Sequence, residues 1–283
     1  MYILALRSYG DYVIMLNSIK HTGIKKNVTI IVSKHLQPLH ESLNSQYSNN
    51  FKFIFKDFRI KKGLLSFFTN RHFFSLNTIL ELFSISKMIR KLEIKNEIIY
   101  LEHKGRKAFP SMLLGNQLEY IYNNGNIYDA FGRFFEINSE ELTFNLPVIQ
   151  TIYKVLIFPD SRKKHKIIDN NTVKQLTFEL IKQKIDFKIA HFDHITLTDI
   201  DSNNQVVYNN FNDLILLIKE CDFVITSDSV PAHIAEYLEK PHVILYNDRV
   251  NKDWLTPFAK KYKMYTTFGE ASIFFNQYFN SKC

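Results

Sequence analysis

Short apolar runs recur along this chain, each followed by a polar loop and then by a stretch of helical periodicity, and the whole pattern plays through twice. Alternation of this kind requires parallel strands, because two parallel neighbours must be joined by a crossover of about a dozen residues or more, usually a helix. In the first half, strands are expected at residues 2–6, 28–32, 51–55, 97–101 and 118–122, with helices at 11–21 and 77–92. The pattern restarts with strands at 154–158, 187–190, 222–226 and 242–246, and helices at 171–184, 211–221, 231–238 and 270–278. Val173, Leu176, Leu180 and Ile181 give the first of these later helices its apolar face. One half hands over to the other in the polar stretch 136–153, which contains Pro147. The expected fold class is α/β, with two Rossmann-like domains at residues 1–150 and 151–283.

A hydrophobic share of 46% beside 23% charged residues suits a packed chain and argues against disorder. No run approaches the ~18–20 apolar residues of a membrane span. Met1-Tyr2-Ile3-Leu4-Ala5-Leu6 reaches Arg7 with no basic leader before it, and reads as a first strand rather than a signal peptide. Cys221 and Cys283 are too few for a disulfide framework and lie in no zinc-like spacing. The expectation is a cytoplasmic protein, soluble or peripheral on the inner membrane. The net charge of +8 is concentrated: residues 51–107 hold 13 Lys/Arg and 5 Asp/Glu, an excess as large as that of the whole chain. Phe67, Phe68, Phe73 and Phe74 lie beside Lys61, Lys62 and Arg71 there. Either residues 51–95 meet an anionic membrane surface, or they form a solvated basic face over an aromatic core. Charge alone would also suit nucleic acid, which is not expected as a partner.

In open α/β sheets ligands bind at the carboxyl ends of the strands, so the loops after strands carry the chemistry. Three stand out. Arg7-Ser8-Tyr9-Gly10-Asp11 follows the first strand, with Gly10 suited to a tight turn and Asp11 opening a helix. Asp11 is either a plain N-cap or a carboxylate that takes a proton from an acceptor hydroxyl within hydrogen-bond reach. Pro159-Asp160-Ser161-Arg162-Lys163-Lys164-His165-Lys166 follows the first strand of the second half. Its cations and hydroxyl make either a phosphate site or a solvated loop. The third loop, Thr226-Ser227-Asp228-Ser229-Val230-Pro231-Ala232-His233-Ile234-Ala235, sets Pro231 in a first helical turn, with Asp228 and Ser229 as caps. That helix start is either an ordinary capped terminus with His233 packed, or an anion site for a pyrophosphate.

Two further patterns bear on chemistry. Asp199-Ile200-Asp201 spells the D-x-D of metal-dependent sugar transferases, but it sits in a polar loop with Asp193 and Ser202 and reads as chance; no metal is expected. Neither a G-x-x-x-x-G-K-[ST] loop nor a G-x-G-x-x-G fingerprint occurs, so NTPase and dehydrogenase readings lack their usual signals.

Together the three loops resemble the signature set of glycosyltransferase family 9, the ADP-heptose–lipopolysaccharide heptosyltransferases. Ser8-Tyr9-Gly10-Asp11-Tyr12-Val13 is similar to the family's S-x-G-D-x-[VL]. Ile98-Ile99-Tyr100-Leu101-Glu102 through Ser111-Met112-Leu113-Leu114 is similar to its middle-strand segment. The segment from Asp222 to Ala235 tracks a strand followed by D-[ST]-G-x-x-H-[LI]-A, with Lys240-Pro241, Trp254 and Pro257 following as in the family. The chain departs from the pattern at Val230, where the family has glycine, and at Tyr246-Asn247, where it has Phe-Gly.

The resemblance implies a GT-B fold, two Rossmann-like domains facing a central cleft, and an inverting, metal-independent transfer. The sugar, a heptose or a relative, would pass from an ADP-linked donor to a lipopolysaccharide, lipooligosaccharide or other envelope glycan. No cofactor is implied. Asp11 and Lys166 would be catalytic: Asp11 as general base, Lys166 against charge on the leaving nucleotide. Ser161, Arg162, Lys166, Asp228, Ser229, Val230, Pro231 and His233 would bind the donor. Gly10, Lys104 and Arg106 would meet the acceptor. A GT-B shell that binds nucleotide without catalysis, and a nucleotide-sugar epimerase on the same fold, remain open.

Overall fold

Aliphatic and β-branched residues such as Val28, Ile30, Ile31 and Val32 fill the strands of two separate parallel sheets, where strands buried on both faces read as continuous apolar runs. The structure is a computed structural model describing residues 1–5, 8–43, 47–57, 87, 90, 91, 94, 97–103, 118–137, 142–145, 152, 154–194, 197 and 200–280. It divides into two units, Met1–Ile137 and Asn138–Cys283.

The first unit runs β1 (Tyr2–Ala5), α1 (Tyr9–His21), β2 (Val28–Ser33), a 3-10 turn at Lys34–Leu36, α2 (Gln37–Leu43), β3 (Phe51–Lys56), β4 (Ile99–His103), β5 (Leu118–Tyr122) and α3 (Ile127–Phe134). Its sheet has the order β3-β2-β1-β4-β5. β1 is central, with Leu4 opposite Ile31 on one side and Leu101 on the other. Every residue of α1 from Gly10 to Ile19 is buried, so this helix is part of the core rather than a surface helix.

The second unit runs β6 (Lys154–Phe158), α4 (Asn170–Lys182), β7 (Asp186–Phe192), β8 (Gln205–Tyr208), α5 (Phe211–Glu220), β9 (Phe223–Ser227), α6 (Val230–Tyr237), β10 (His242–Tyr246), α7 (Pro257–Tyr262), β11 (Tyr265–Thr267) and α8 (Ala271–Asn280). The sheet order is β11-β10-β9-β6-β7-β8. From β6 the chain works outward to β8, then returns to β9 on the other flank of β6 and works outward again. The point where the direction reverses, between β6 and β9, is the topological switch point of the sheet.

Caps set the helix starts. Asp169 accepts from Thr172 N at 2.9 Å to begin α4, Asn210 from Asp213 N at 2.9 Å to begin α5, and Thr256 from Ala259 N at 3.2 Å to begin α7. At α1 the cap is Ser8, whose Oγ accepts from Asp11 N at 3.3 Å. The helix therefore starts two residues before the expected position, which corrects two readings. Asp11 is not the N-cap but the third helical residue, and Gly10 is no turn glycine but the second.

Among the described residues, α2, α3, β8, α7 and β11 were not expected from the sequence. The expected helix at 77–92 lies outside the described residues apart from Lys87, Arg90 and Lys91, which are helical. Among the described residues, no helix is long and apolar enough to cross a membrane. Most of the basic, aromatic stretch 51–95 lies outside them; its first residues form the edge strand β3, with Lys52 and Lys56 exposed.

Candidate active site

In the second unit, the loops after β6 and β9 open side by side at the switch point, because β6 and β9 are paired neighbours with Phe158 opposite Thr226. The β6 loop is closed at its base by Ile168 N donating to Pro159 O at 2.9 Å, and a 3-10 turn at Lys164–Lys166 lifts Lys166 out of it. Lys166 Nζ donates to the carboxylate of Asp228 at 2.5 Å and to its backbone carbonyl at 2.9 Å. Asp228 is only 5% exposed, and a carboxylate held so far from water needs a partner of this kind. An ammonium has three protons; two go to Asp228, and the third is available to an anion at the same spot.

Asp228 leads into α6. Ser229 stands in the N-cap position, yet its hydroxyl makes no capping bond; it turns back to Thr226 Oγ1 and Ser227 O, each at 3.3 Å. No side chain therefore caps the first turn of α6 among the described residues. Such a terminus favours an anion, through its unshared N–H groups and the helix dipole. Ser227 Oγ, fully buried, has no hydrogen-bond partner among the described residues. Val230 is the first residue of α6 and has no positive φ. A side chain in place of the family's glycine costs no backbone strain there. Pro231 sits within the first turn, where a missing N–H costs nothing. Tyr246 donates from its hydroxyl to Asn251 O at 3.3 Å, and burial, with the charge of Asp228 adding to it, pushes its phenol above the usual range.

Of the other residues expected in this site, Ser161 lies in the β6 loop, where its Oγ accepts from Lys163 N at 3.4 Å, and Arg162 is exposed beside it. His233 is buried on α6, near enough to His242 for a charge on it to disfavour protonation there. His242 is itself fully buried in a polar cluster. Its Nδ1 lies 2.8 Å from Lys240 O and its Nε2 2.7 Å from Thr256 Oγ1. A carbonyl can only accept, so Nδ1 donates and Nε2 accepts from the hydroxyl. Burial first, then the nearby His233, lowers the His242 pKa to about 4. Glu236 closes the cluster by accepting from Phe258 N at 3.1 Å. The cluster ties α6, β10 and α7 together behind the helix start.

Asp160, in the β6 loop, is not among the site residues the sequence suggests. Its carboxylate lies 3.2 Å from His191 Nδ1 and accepts from Phe192 N at 3.3 Å, joining the β6 loop to the end of β7. The available signal was a histidine following Ile189 and Ala190 in the buried part of β7. Asp201 of the D-x-D tripeptide caps the 3-10 turn at Ser202–Asn204, and Asp199 lies outside the described residues. Among the described residues no three His, Cys, Asp or Glu side chains gather as metal ligands would.

In the first unit, Asp11 is 4% exposed at the third position of α1, where the helix dipole favours a carboxylate. Beside it, Tyr9 meets the ring of His35 edge-on at 5.7 Å, and His35 Nδ1 lies 2.8 Å from Ser33 Oγ. These residues stand at the carboxyl ends of β1 and β2. Neither Ser33 nor His35 was expected from the sequence. Lys104 and Arg106 lie outside the described residues.

Residues 208–273 match the family described as glycosyltransferase family 9 (heptosyltransferase), a span that runs from the end of β8 into α8 and includes the start of α6. No curated protein matches the chain by sequence. Among solved structures, the Escherichia coli heptosyltransferase WaaC with ADP is 13% identical with a TM-score of 0.60, each chain covering 100% of the other. ADP-heptose lipopolysaccharide heptosyltransferase II from E. coli is 11% identical with a TM-score of 0.56, covering 94% of this chain and 90% of its own. A family 9 glycosyltransferase from Veillonella parvula is 14% identical with a TM-score of 0.56, covering 94% of this chain and 85% of its own. At these identities the likeness shows the fold, two parallel sheets of the GT-B type. Residues 208–273 are thus similar in sequence to glycosyltransferase family 9, and the whole chain shares its fold with solved heptosyltransferases.

Proposed function

We propose that the protein is an inverting, metal-independent glycosyltransferase that moves a heptose or related sugar from an ADP-linked donor to an envelope glycan such as lipopolysaccharide or lipooligosaccharide. The observation that carries this reading is the Lys166–Asp228 pair at the switch point of the second sheet, directly before an uncapped helix start. A cation with a proton to spare and a helix N-terminus form a seat for a diphosphate. Two solved structures of WaaC carry ADP or ADP-2-deoxy-2-fluoro heptose, which fits such a seat. The C-terminal domain, residues 151–283, then holds the donor and the N-terminal domain, residues 1–150, the acceptor.

In the reaction, the Asp11 carboxylate takes the proton of the acceptor hydroxyl. That oxygen bonds to the anomeric carbon as the bond from carbon to the diphosphate oxygen breaks, and the diphosphate leaves with the electron pair. Lys166, Arg162 and the amides at the start of α6 hold the growing negative charge, a task suited to fixed dipoles that need not reorient. Ser161, Asp228, Ser229, Val230, Pro231 and His233 complete the donor site, and Gly10, Lys104 and Arg106 the acceptor side. Work on a lipid-linked acceptor sets the protein at the cytoplasmic face of the inner membrane, with residues 51–95 against the lipid headgroups.

Replacing the base tests the transfer. Asp11→Ala should lower turnover about 100- to 10,000-fold while ADP binds as in the wild type. Near-normal turnover with a matched donor and acceptor would remove Asp11 from the mechanism. Donor turnover without any acceptor would point instead to an epimerase.

A further inference from the structure

We infer that Phe192 is the platform on which the base of the bound nucleotide stacks; the inference rests on the reading of the switch point as a diphosphate seat. Phe192 ends β7, the strand next to β6, and its N–H is donated to Asp160, the residue directly before Ser161 in the phosphate loop. Phe192 therefore stands beside the first residues of the phosphate loop, with its strand one spacing, about 4.8 Å, from β6. A ribose joins a diphosphate to a base over a span of this order.

The ring is 54% exposed, although Ile189 and Ala190 just before it are fully buried. With Ile167 in the phosphate loop, it is one of two exposed large apolar side chains at this edge among the described residues. It is also held in place. One side meets the buried ring of Tyr208 at 5.6 Å, and Tyr208 in turn meets Phe158 at 5.8 Å. Directly after it the chain reverses, with His194 N donating to Phe192 O at 2.9 Å, Asp193 at φ 71°, and Asp193 N donating to Tyr208 O at 3.1 Å. A phenyl group more than half exposed, backed by a buried ring and carried on a pinned stretch of chain, offers a flat apolar face to a flat ligand. Stacking on such a face tolerates any base and favours the larger overlap of a purine over a pyrimidine.

The test is a calorimetric titration of the full chain with ADP and, separately, with inorganic pyrophosphate. Phe192→Ala should weaken ADP roughly 5- to 150-fold, the measured range for loss of one base–aromatic stack, and leave pyrophosphate affinity unchanged. Phe192→Trp should restore ADP binding. Unchanged ADP affinity in Phe192→Ala overturns the proposal. Equal weakening of both ligands overturns it too, because Phe192 would then act only by positioning Asp160 and its loop. A wild type that binds ADP no tighter than pyrophosphate defeats the base platform but leaves the diphosphate seat standing. A wild type that binds neither ligand removes both.

Discussion

Lys166 and Asp228 are 62 residues apart in sequence and in direct contact in space. The contact gives each a second task. Asp228 holds the ammonium in one place, and the ammonium neutralises a carboxylate that burial would otherwise penalise. Removing Lys166 therefore has two effects that must be told apart. Lys166→Ala should weaken ADP about tenfold or more, the worth of a charge-assisted hydrogen bond, and should also lower the melting temperature by stranding Asp228. Adding Asp228→Asn removes the stranded charge, so the double variant should regain stability without regaining nucleotide affinity in calorimetry. Recovery of both would reduce Lys166 to a structural partner. Neither the pair nor the Asp160–His191 contact could be read from sequence, because each joins loops from different strands. Ser8 shows the opposite case. Its capping role is written in the local spacing Ser8-x-x-Asp11, a capping-box pattern that sets the cap at Ser8 and not at Asp11.

Among the elements, the long apolar strands were legible and the short or mixed ones were not. β6, β9 and β10 are five-residue runs, mostly apolar and buried almost throughout, and the expected positions agree with them to within a residue. β8 is a four-residue edge strand, mostly half-buried, that starts at Gln205; an edge strand needs an apolar face on one side only and leaves a faint pattern. α7 spans six residues behind Pro257, too few to show periodicity. α3 carries Gly132 among aromatic residues, a composition of weak helix propensity overridden by the Asn126 cap and by packing. The polar cluster joining α6, β10 and α7 makes a prediction at this scale. His242 keeps a folded pKa of about 4 against an ordinary 6.5, so it stays neutral in the folded protein where the unfolded chain would bind a proton. Its contribution is complete above pH 6.5 and is lost as the pH falls toward 4, at most roughly 3 kcal/mol for a shift of this size. Denaturant melts across this window should show stability falling with acid, and His242→Gln should flatten the slope. An unchanged slope would mean that His242 does not carry it.

At the scale of the whole molecule, fold and site left different traces in the sequence. A parallel sheet asks only for apolar residues at the right intervals, and many sequences satisfy that; the relatives share the fold at 11–14% identity. The start of α6 asks for particular residues, since a proline in the first turn, a buried acid and a hydroxyl must follow a strand in a fixed order. Sequence similarity to the family survives in the span that contains this start, residues 208–273. The same division explains why the long strands of the repeated strand–loop–helix plan were readable, while the residues around Asp11 and Lys166 took their roles from resemblance. The most direct test of the central claim is the crystal structure of the protein soaked with ADP. The diphosphate should lie within hydrogen-bond reach of Lys166 Nζ and the backbone amide of Val230, at the carboxyl ends of β6 and β9. Nucleotide density elsewhere on the chain, or none under saturating ADP, would contradict it.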